Sequence, residues 1–390
     1  MGTLKAVSVL IAAFGFYPVL LSEICLTGDF DAQFSHVLES VMLTAEQAAR
    51  LSQVCHDMEI VLNTRWPGTV ASPFGSLVTG LGMRASDVDC LALVPRRGAR
   101  DSDRRVVIET TALLLRQPAV YQQLIPKITF RVPIINFYYV PAQIYCDLSF
   151  KGPTGIENSK LVKHYMQMDE RVLKVTAFLK YWSQVHRLTG FPMLASYGLG
   201  LMAIFYFQQK GIVPSIYYLQ SDAEPRFVND WNNGFDRLPY ENDNTETVYE
   251  LLRGFFNYYS EFNYNDYIIS VYAGRPVAKS LFEDVDTVPE EFVLYKHLVR
   301  KGSCEPAMFQ DIWIQDAFEH NSNLAANKPP SLPGRLRARL HDAARMFRDL
   351  PRDDVLRAIL VQREPLDEHD AGNKTIVLDT VSADGDCARA

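Results

Sequence analysis

The sequence lacks the residue patterns that mark several protein classes. Its six cysteines, at positions 25, 55, 90, 146, 304 and 387, form no CxxC pair and no Cys/His cluster with the spacing of a zinc site. Cys90 and Cys146 lie in predicted buried strands, which is typical of reduced core residues in an intracellular protein. The chain also has no internal repeat, no transmembrane bundle and no zinc-finger or RRM signature. These absences argue against a zinc module, a membrane bundle and a repeat scaffold.

The sequence also has no excess of positive charge. The 390 residues carry a formal net charge of −7, so a nucleic-acid partner would have to bind a local basic surface. Hydrophobic residues make up 48% and charged residues 22%, a globular composition with length for two or three domains. Residues 6–21 are almost wholly apolar but shorter than the about 20 residues of a membrane span. We therefore expect no stable membrane insertion, and a buried helix, an organelle signal or an incorrect start stays open for this segment.

The stretch that carries most chemistry is residues 74–93, FGSLVTGLGMRASDVDCLAL. If its last part is a strand, the period of two places Asp87 and Asp89 on one face and apolar residues on the other. Paired carboxylates suit Mg²⁺, which binds a few protein oxygens together with substrate phosphates. Gly75 and Ser76 form a turn before a helix and offer backbone N–H groups and a hydroxyl to a phosphate. The stretch indicates chemistry on a phosphate with a bound metal ion.

A third carboxylate follows on a later strand. Strands are expected over 128–139 and 143–150, joined through Pro141. In the second strand the apolar residues alternate, which leaves Asp147 on a polar face together with Tyr145. With the earlier pair of acids, Asp147 is best interpreted as a third residue of a metal site.

The rest of the chain is predicted to be mainly helical. Thr44 and Gln47 form a capping box that opens a helix ending near Asn63. Further helices are expected over 171–187, 195–207 and 244–262. After a proline-rich break at 329–333, a helix carries arginines at 335, 337, 339, 345, 348, 352 and 357. An RNA-binding surface and a solvated basic surface are equally good interpretations of that helix.

The motifs, in this order, resemble those of the template-independent RNA terminal nucleotidyltransferases of the DNA polymerase β superfamily. The similarity runs from about Thr44 to Asn327 and rests on GSx₃GLx₄SDxD, CDLSF, GxxNS, KxW, a Ser-Tyr pair and a late QD-x-F-E-x-x-x-N block. NTETxxELLxxFFxY and NLAAN are most similar to the branch of the mitochondrial poly(A) polymerase and the U6 RNA uridylyltransferase. The resemblance implies an α+β fold: a polymerase β-like nucleotidyltransferase domain plus a mainly helical poly(A)-polymerase-associated domain, with the active cleft between them.

The domain boundaries follow from the resemblance and the composition. Residues 1–43 form an N-terminal segment of unclear role, and residues 44–150 form the nucleotidyltransferase catalytic domain. Residues 151–328 form the helical central and poly(A)-polymerase-associated domain, and residues 329–390 a basic helix and an acidic, disordered tail. We expect the N-terminal helix of the catalytic domain to pack back on the second domain.

The resemblance also implies a role for each matched residue. Gly75 and Ser76 would hold the triphosphate, Asp87 and Asp89 would bind both metal ions, and Asp147 would bind the ion that activates the RNA 3′ hydroxyl. The other matched residues would contact the nucleotide. Asn158 would contact its sugar, and Lys180 and Ser196 would contact its triphosphate. Tyr197 would stack on its base, and Asp316 and Glu319 would close over the base. Two metal ions of Mg²⁺ or Mn²⁺ would clamp the attacking and leaving oxygens.

Two positions depart from the family pattern. A second basic residue is often found four residues after the KxW lysine, and here that position is Gln184. In uridylyl-transferring members a histidine precedes the Asn of the late block, and here that position is Ser322, with His320 two residues earlier. Because a small residue leaves room for a purine, the sequence favours ATP over UTP.

The function expected from the sequence is addition of nucleoside monophosphates to an RNA 3′ end without a template, with AMP favoured and UMP as the alternative. A cyclic-dinucleotide or 2′–5′ oligonucleotide synthase is a rival in the same fold, and a catalytically inactive RNA-binding or scaffold protein is a rival of another class. The compartment stays open between the mitochondrion and the nucleus or cytoplasm, and the oligomeric state is also open.

Overall fold

The structure is a computed structural model that describes residues 24–361, apart from gaps at 25, 96–101, 130–131, 151, 238 and 308–309. The apolar segment 6–21, most of the charged loop at 95–105 and the acidic tail lie outside the described residues. In the part of the chain that is described, no helix has both the length and the apolar character needed to cross a membrane.

The first half of the chain is built on a five-stranded sheet. Its strands are β1 (Val70–Phe74), β2 (Val88–Leu93), β3 (Tyr121–Lys127), β4 (Ile134–Tyr139) and β5 (Ile144–Ser149). The helices of this half are α1 (Phe30–Val41), α2 (Ala45–Asn63), α3 (Ser76–Thr79) and α4 (Asp103–Leu114), with a 3₁₀ turn at Val140–Ala142. The strand order is β1-β2-β5-β4-β3, and only β2 and β5 run parallel.

Alternating side chains give this sheet one buried face and one open face. In β4, Ile135, Phe137 and Tyr139 are buried, whereas the residues between them are partly exposed. The buried residues form one apolar core with side chains from α2 and α4, so both helices cover the same face of the sheet. The opposite face, which carries the predicted acids, is therefore free to line a cleft.

The second half of the chain is mainly helical. Its helices are α5 (Thr154–Met168), α6 (Glu170–Val185), α7 (Ser196–Gln209), α8 (Ile216–Gln220), α9 (Val248–Glu261), α10 (Val293–Arg300), α11 (Ser331–Asp349) and α12 (Val355–Leu360). Two short hairpins are formed by β6 (Phe227–Val228) with β7 (Trp231–Asn232), and by β8 (Tyr267–Ser270) with β9 (Arg275–Ala278). Short 3₁₀ turns lie at Lys279–Phe282, Glu290–Phe292 and Arg352–Asp354. Every residue from Gly198 to Phe207 is buried, so α7 is the central helix of a second apolar core.

The N-terminal helices pack differently from the expectation. Helix α2, which begins at the Thr44 capping box, packs on the sheet with Leu51, Val54 and Met58 and not on the helical part. Helix α1 packs on the helical part instead, where the Phe34 ring lies 5.3 Å from that of Phe178, measured between centroids. The capping pattern fixes where a helix begins, but its partner depends on contacts far along the chain.

Helix α1 is also joined to the far end of the described chain. The backbone N–H of Phe30 donates to Asp353 Oδ1 at 2.8 Å, and Gln33 Nε2 donates to the Asp353 carbonyl at 2.8 Å. Arg352 donates to Asp31 Oδ2 at 2.7 Å and lies over the Phe30 ring. Residues that precede the sheet in the sequence and residues that follow it thus build one helical core.

The sheet also differs from the sequence prediction at one edge. A single strand was expected over 128–139, but β3 ends at Lys127 and β4 begins at Ile134. Strand β3 is an edge strand with an irregular register between Gln122 and Ile125. Its apolar and polar residues do not alternate regularly, which is why the pattern did not predict it.

Candidate active site

The predicted acids meet on the open face of the sheet. Asp89 on β2 lies directly opposite Asp147 on the parallel neighbour β5, and Asp147 lies opposite Asn136 on β4. Asn136 Nδ2 donates to Asp147 Oδ1 at 2.9 Å, which orients that carboxylate. Asp87 lies just before β2 and two residues from Asp89, so strand geometry points both side chains to this face. Carboxylates from two strands that are distant in the sequence therefore line one face of the sheet.

The charges of these acids repel each other. Burial, then the Asp147 charge, raises the pKa of Asp87 from 3.8 to about 7, and Lys127 opposes the shift. Burial and the charges of Asp147 and Asp87 likewise raise the pKa of Asp89 to about 7, against the opposing charge of Lys180. A bound cation would relieve this repulsion.

The donor chemistry fits a divalent ion such as Mg²⁺, because carboxylate oxygens are its preferred protein ligands. Across the described ranges, no three His, Cys, Asp or Glu side chains already converge closely enough to form a metal site. Asp87, Asp89 and Asp147 therefore match a metal ion in charge and ligand type, and their carboxylates would have to draw together around it.

Gly75 lies directly against the Asp89 carboxylate. Its φ of +69° is in a region that favours glycine, and a Cβ at this position would lie only 2.3 Å from Asp89 Oδ2. The Gly75 N–H donates to Ser159 Oγ at 2.7 Å, and Ser76 begins the short helix α3. A larger residue at position 75 would push the Asp89 carboxylate away, so the Gly75-Ser76 turn and Asp89 depend on each other for their positions.

Asn158 lies near this turn, on the first turns of α5. Its Oδ1 is buried and has no hydrogen-bond partner among the described residues, so it can accept a bond from a ligand. Its neighbour Ser159 contacts Gly75, and its other neighbour Glu157 pairs with Arg226 at 2.6 Å and with Lys160 at 2.8 Å. The contacts on both sides of Asn158 hold the start of α5 beside the turn.

Lys180 is buried near the acids and hydrogen-bonded to the loop before Asp87. It is 6% exposed, and its Nζ donates to the Leu81 carbonyl at 2.8 Å and to Ser86 Oγ at 3.4 Å. Burial lowers its pKa to about 8, against the opposing charge of Asp89. Here Lys180 anchors the loop that leads to Asp87, and contact with a triphosphate stays a prediction. Gln184, one turn later, is partly buried.

Ser196, Tyr197 and the late block form a second group of predicted residues. Ser196 is the first residue of α7, and the partly exposed Tyr197 follows it with its hydroxyl near the Asp316 carboxylate. Asp316 Oδ1 accepts the N–H groups of Phe318 and Glu319, each at 3.0 Å. Asp316 therefore caps the turn that carries Glu319.

Ser322 lies at the end of this turn. Its N–H donates to the Glu319 carbonyl at 2.8 Å, and its carbonyl accepts the N–H of Asp316 at 3.0 Å. Because both backbone groups of Ser322 are hydrogen-bonded, the turn has a fixed shape. The Ser322 side chain is small and partly exposed. This position offers neither bulk nor an imidazole to a base.

His320 belongs to the core and does not reach the position of a base-selecting residue. It is 4% exposed, and its ring centroid lies 4.0 Å from Tyr272, 5.2 Å from Trp231 and 5.3 Å from Phe292. Burial lowers its pKa to about 3, so it is neutral at pH 7. A local shift that moved this ring to the base would break up an aromatic cluster.

The arginine-rich helix α11 is tied into the fold. Leu336, Leu340 and Phe347 bury its apolar face in the helical core. Arg337 lies 5.2 Å from the centroid of the Tyr264 ring, and Arg335 donates to the His186 carbonyl at 3.4 Å. These internal contacts favour the interpretation of α11 as a structural helix over that of an RNA-binding surface.

Sequence reasoning missed several residues that support the site. Asn136, Ser159 and Lys127 each act on a predicted residue from an element that is distant in the sequence. The pairing of Arg226 with Glu157 crosses from the β6–β7 hairpin to α5. Among these residues, only Ser159 could have been found from the sequence, because it follows Asn158 in the GxxNS motif.

The chain was compared with known protein families. The family model for the "Poly(A) RNA polymerase, mitochondrial-like, central palm domain" matches residues 30–167, and the model for the "Cid1 family poly A polymerase" matches residues 247–322. Together the two models span more than half of the chain, and the first one contains Asp87, Asp89 and Asp147. The chain belongs to the template-independent RNA terminal nucleotidyltransferases. The family inferred from the motifs is confirmed.

Curated relatives and solved structures agree with this family. Terminal uridylyltransferase 7 of Homo sapiens is 28% identical over 242 residues, which is 58% of this chain and 16% of that protein. The mitochondrial poly(A) RNA polymerase of Drosophila melanogaster is 30% identical over 254 residues, which is 55% of this chain and 41% of that protein. This chain thus spans less than half of the length of either relative.

The solved structures establish the fold. The crystal structure of mtPAP with UTP has a TM-score of 0.73 and 19% identity, and covers 88% of this chain and 76% of that chain. The structure of the Cid1 poly(U) polymerase with Mg and 3′-dATP has a TM-score of 0.68 and 20% identity, and covers 86% of this chain and 99% of that chain. The predicted polymerase β-like domain with a helical partner is confirmed.

Proposed function

We propose that this protein adds nucleoside monophosphates to RNA 3′ ends without a template. The RNA 3′ oxygen forms a bond to the α-phosphorus of the nucleoside triphosphate, pyrophosphate leaves with the electrons of the broken P–O bond, and the hydroxyl proton is released. The observation that carries the proposal is the pairing of Asp89 with Asp147, with Gly75 packed against the Asp89 carboxylate. The Gly75-Ser76 turn and the acids of β2 and β5 thus lie on the same face of the sheet, which supports the proposal.

Asp87, Asp89 and Asp147 would hold Mg²⁺ or Mn²⁺. When bound, the ion supplies positive charge to the phosphate oxygens, which accounts for much of the catalysis in phosphoryl transfer. The chain itself positions the reactants: the Gly75-Ser76 turn faces the phosphates, and Asn158 offers a buried acceptor of the kind a sugar hydroxyl requires. Asn136 keeps Asp147 in a fixed orientation.

The nucleotide favoured by the site is ATP. Tyr197 provides a partly exposed ring on which any base can stack, so selection depends on the residues at the edge of the base. Ser322 is small there, and His320 is held in the aromatic cluster. UTP is the alternative, because terminal uridylyltransferase 7 is among the relatives. An intracellular location fits the free, buried Cys90 and Cys146, and the mitochondrion is one candidate compartment because one relative is the mitochondrial enzyme.

An extension assay tests the function. Purified protein, Mg²⁺, a labelled RNA oligonucleotide and each nucleoside triphosphate in turn are combined, with Asp89→Ala as the inactive control. We expect extension with ATP, loss of extension in Asp89→Ala, and pyrophosphate release that matches the nucleotides added. No extension with any nucleotide, across several RNAs and with Mn²⁺ as well, would favour the inactive RNA-binding or scaffold protein.

The nucleotide preference is tested at Ser322. Ser322→His should shift the ratio of kcat/KM values for ATP and UTP toward UTP by roughly tenfold or more, because it adds bulk and a hydrogen-bonding group at the base edge. Ser322→Ala is the matched control, and it should keep the wild-type ratio. An unchanged ratio in Ser322→His would show that this residue does not face the base.

A further inference from the structure

The open face of the sheet continues beyond the acids as an aromatic surface. Tyr145 lies two residues before Asp147 on β5, and Tyr138 lies two residues after Asn136 on β4. The two tyrosines are directly opposite each other, with ring centroids 5.2 Å apart and planes at 63°. Both side chains are partly exposed, whereas their neighbours Phe137 and Cys146 are fully buried. Along both strands, this row of side chains thus changes from the polar pair of Asp147 and Asn136 to the aromatic pair of Tyr145 and Tyr138.

Strands β3, β4 and β5, around the two tyrosines, are polar on this side and contain a single acidic residue. The Tyr145 hydroxyl donates to Gln123 Oε1 at 2.6 Å, and the exposed Gln122 lies opposite Tyr138. Asp147 is the one acidic residue in the sequences of β3, β4 and β5, and Lys127 at the end of β3 acts on the charge of Asp87. Aromatic rings, amides and a lysine are the groups that proteins use for single-stranded nucleic acid.

We infer that this surface binds the RNA immediately upstream of its 3′ end, with Tyr138 and Tyr145 as the base-stacking residues. The inference rests on the proposed function, in which the reacting 3′ hydroxyl lies at Asp147. Residues two apart on a strand are separated by about 6.6 Å, and stacked nucleotides rise about 3.4 Å each, so the tyrosines lie about two nucleotides from the reacting end. The occupant is RNA because the surface is continuous with the site at which its end must react.

The same surface explains how an acidic protein can hold its RNA. Arg337 of α11 lies over the Tyr264 ring and Arg335 donates to the His186 carbonyl, so these two arginines are held against the fold itself. Stacking on aromatic rings requires little positive charge and accepts any base. The enzyme would therefore extend RNAs of different 3′ sequence with similar KM values.

Substitution of the two tyrosines tests the inference by kinetics. Tyr138→Ala and Tyr145→Ala should each raise the KM for a 15-nucleotide RNA by roughly 5- to 150-fold, the range for loss of one base–aromatic stack, and leave kcat at saturating RNA unchanged. Tyr145→Phe keeps the ring and should retain the wild-type KM. Tyr267→Ala, which removes a 40% exposed ring from β8 in the helical half, is the matched control. Unchanged KM values in the double Ala variant would overturn the inference.

Crosslinking provides a second readout that does not depend on the folding of a variant. RNA with 4-thiouridine at the second or third position from its 3′ end is irradiated with the wild-type protein, and the crosslinked peptide is identified by mass spectrometry. Crosslinks within residues 134–149 support the inference, whereas crosslinks confined to α11 or to other elements overturn it. If the wild type does not extend RNA at all, the proposed function fails; if it extends RNA and the tyrosine variants match it, only the inference fails.

Discussion

Gly75→Ala is the sharpest test of the site, because the structure gives the size of the collision. The added Cβ would lie 2.3 Å from Asp89 Oδ2, and real Cβ atoms essentially never approach another atom closer than 3.0 Å, so the carboxylate must retreat by about 0.7 Å. The backbone at Gly75, with φ +69° and ψ −147°, is also close to a region that only glycine enters without strain.

The two consequences differ in size and in readout. A displacement of about 1 Å of a reacting group can cost roughly 100-fold in rate, so we expect kcat to fall by about 30- to 100-fold. The backbone strain is expected to cost about 1–3 kcal/mol of the free energy of unfolding. Since the substitution leaves Asn158 and Tyr197, the proposed nucleotide contacts, untouched, the KM for ATP should change much less than kcat.

Gly302→Ala is the control for strain without collision. Gly302 has a similar φ of +71°, and an added Cβ would have no atom within 4 Å. Both variants should lose stability in urea unfolding, but only Gly75→Ala should lose kcat in the extension assay. If the two variants had kcat values within twofold of each other, the packing of Gly75 against Asp89 would have no role in catalysis.

Three further predictions concern the acids and their supports. Because the pKa of Asp87 and of Asp89 is raised from 3.8 to about 7, the folded state keeps protons that the unfolded chain has lost, and the free energy of unfolding of metal-free protein falls as pH rises through this range. Melting curves should show a Tm that falls with pH, and Asp89→Asn should make this fall smaller. Mg²⁺ should raise the Tm of the wild type most at high pH. The same dependence of Tm on pH in the wild type and in Asp89→Asn would contradict this. Lys180→Met should lower kcat by roughly 10- to 100-fold by releasing the loop before Asp87, whereas an effect on the KM for ATP alone would indicate a triphosphate contact. Leu340→Ala, at a fully buried position of α11, should lower the free energy of unfolding by about 2–5 kcal/mol in urea, and an unchanged free energy would contradict the packing of α11 in the helical core.

The residues that could be predicted from the sequence are those whose role depends on local geometry. Asp87 and Asp89 share a strand face because of the period of two, and the same rule placed Asp147 beside Tyr145. The order of the motifs indicated the family, and the chain does belong to it. A short run of residues is enough for predictions of this kind, since strand alternation and capping act over a few positions.

The remaining features depend on contacts between distant segments. The hydrogen bond from Lys180 Nζ to the Leu81 carbonyl joins residues 99 positions apart, so it could not be predicted from local sequence. His320 was two residues from the expected position, and only the packing of Tyr272 against its ring shows that it is a core residue. The arginines of α11 have the composition of an RNA-binding surface, yet partners such as Tyr264 cannot be identified from charge patterning alone.

The hydrogen bonds between α1 and Asp353 also determine when the helical core can form all of its contacts during synthesis. Phe30 and Asp353 are 323 residues apart, so a ribosome that adds about 5–20 residues per second needs roughly 16–65 s to supply the partner of α1. The sheet needs no such wait, because its last strand ends at Ser149. During that interval α1 can already pack through Phe34 on Phe178 of α6, but its hydrogen bonds to Asp353 form only after the end of the described chain has been made.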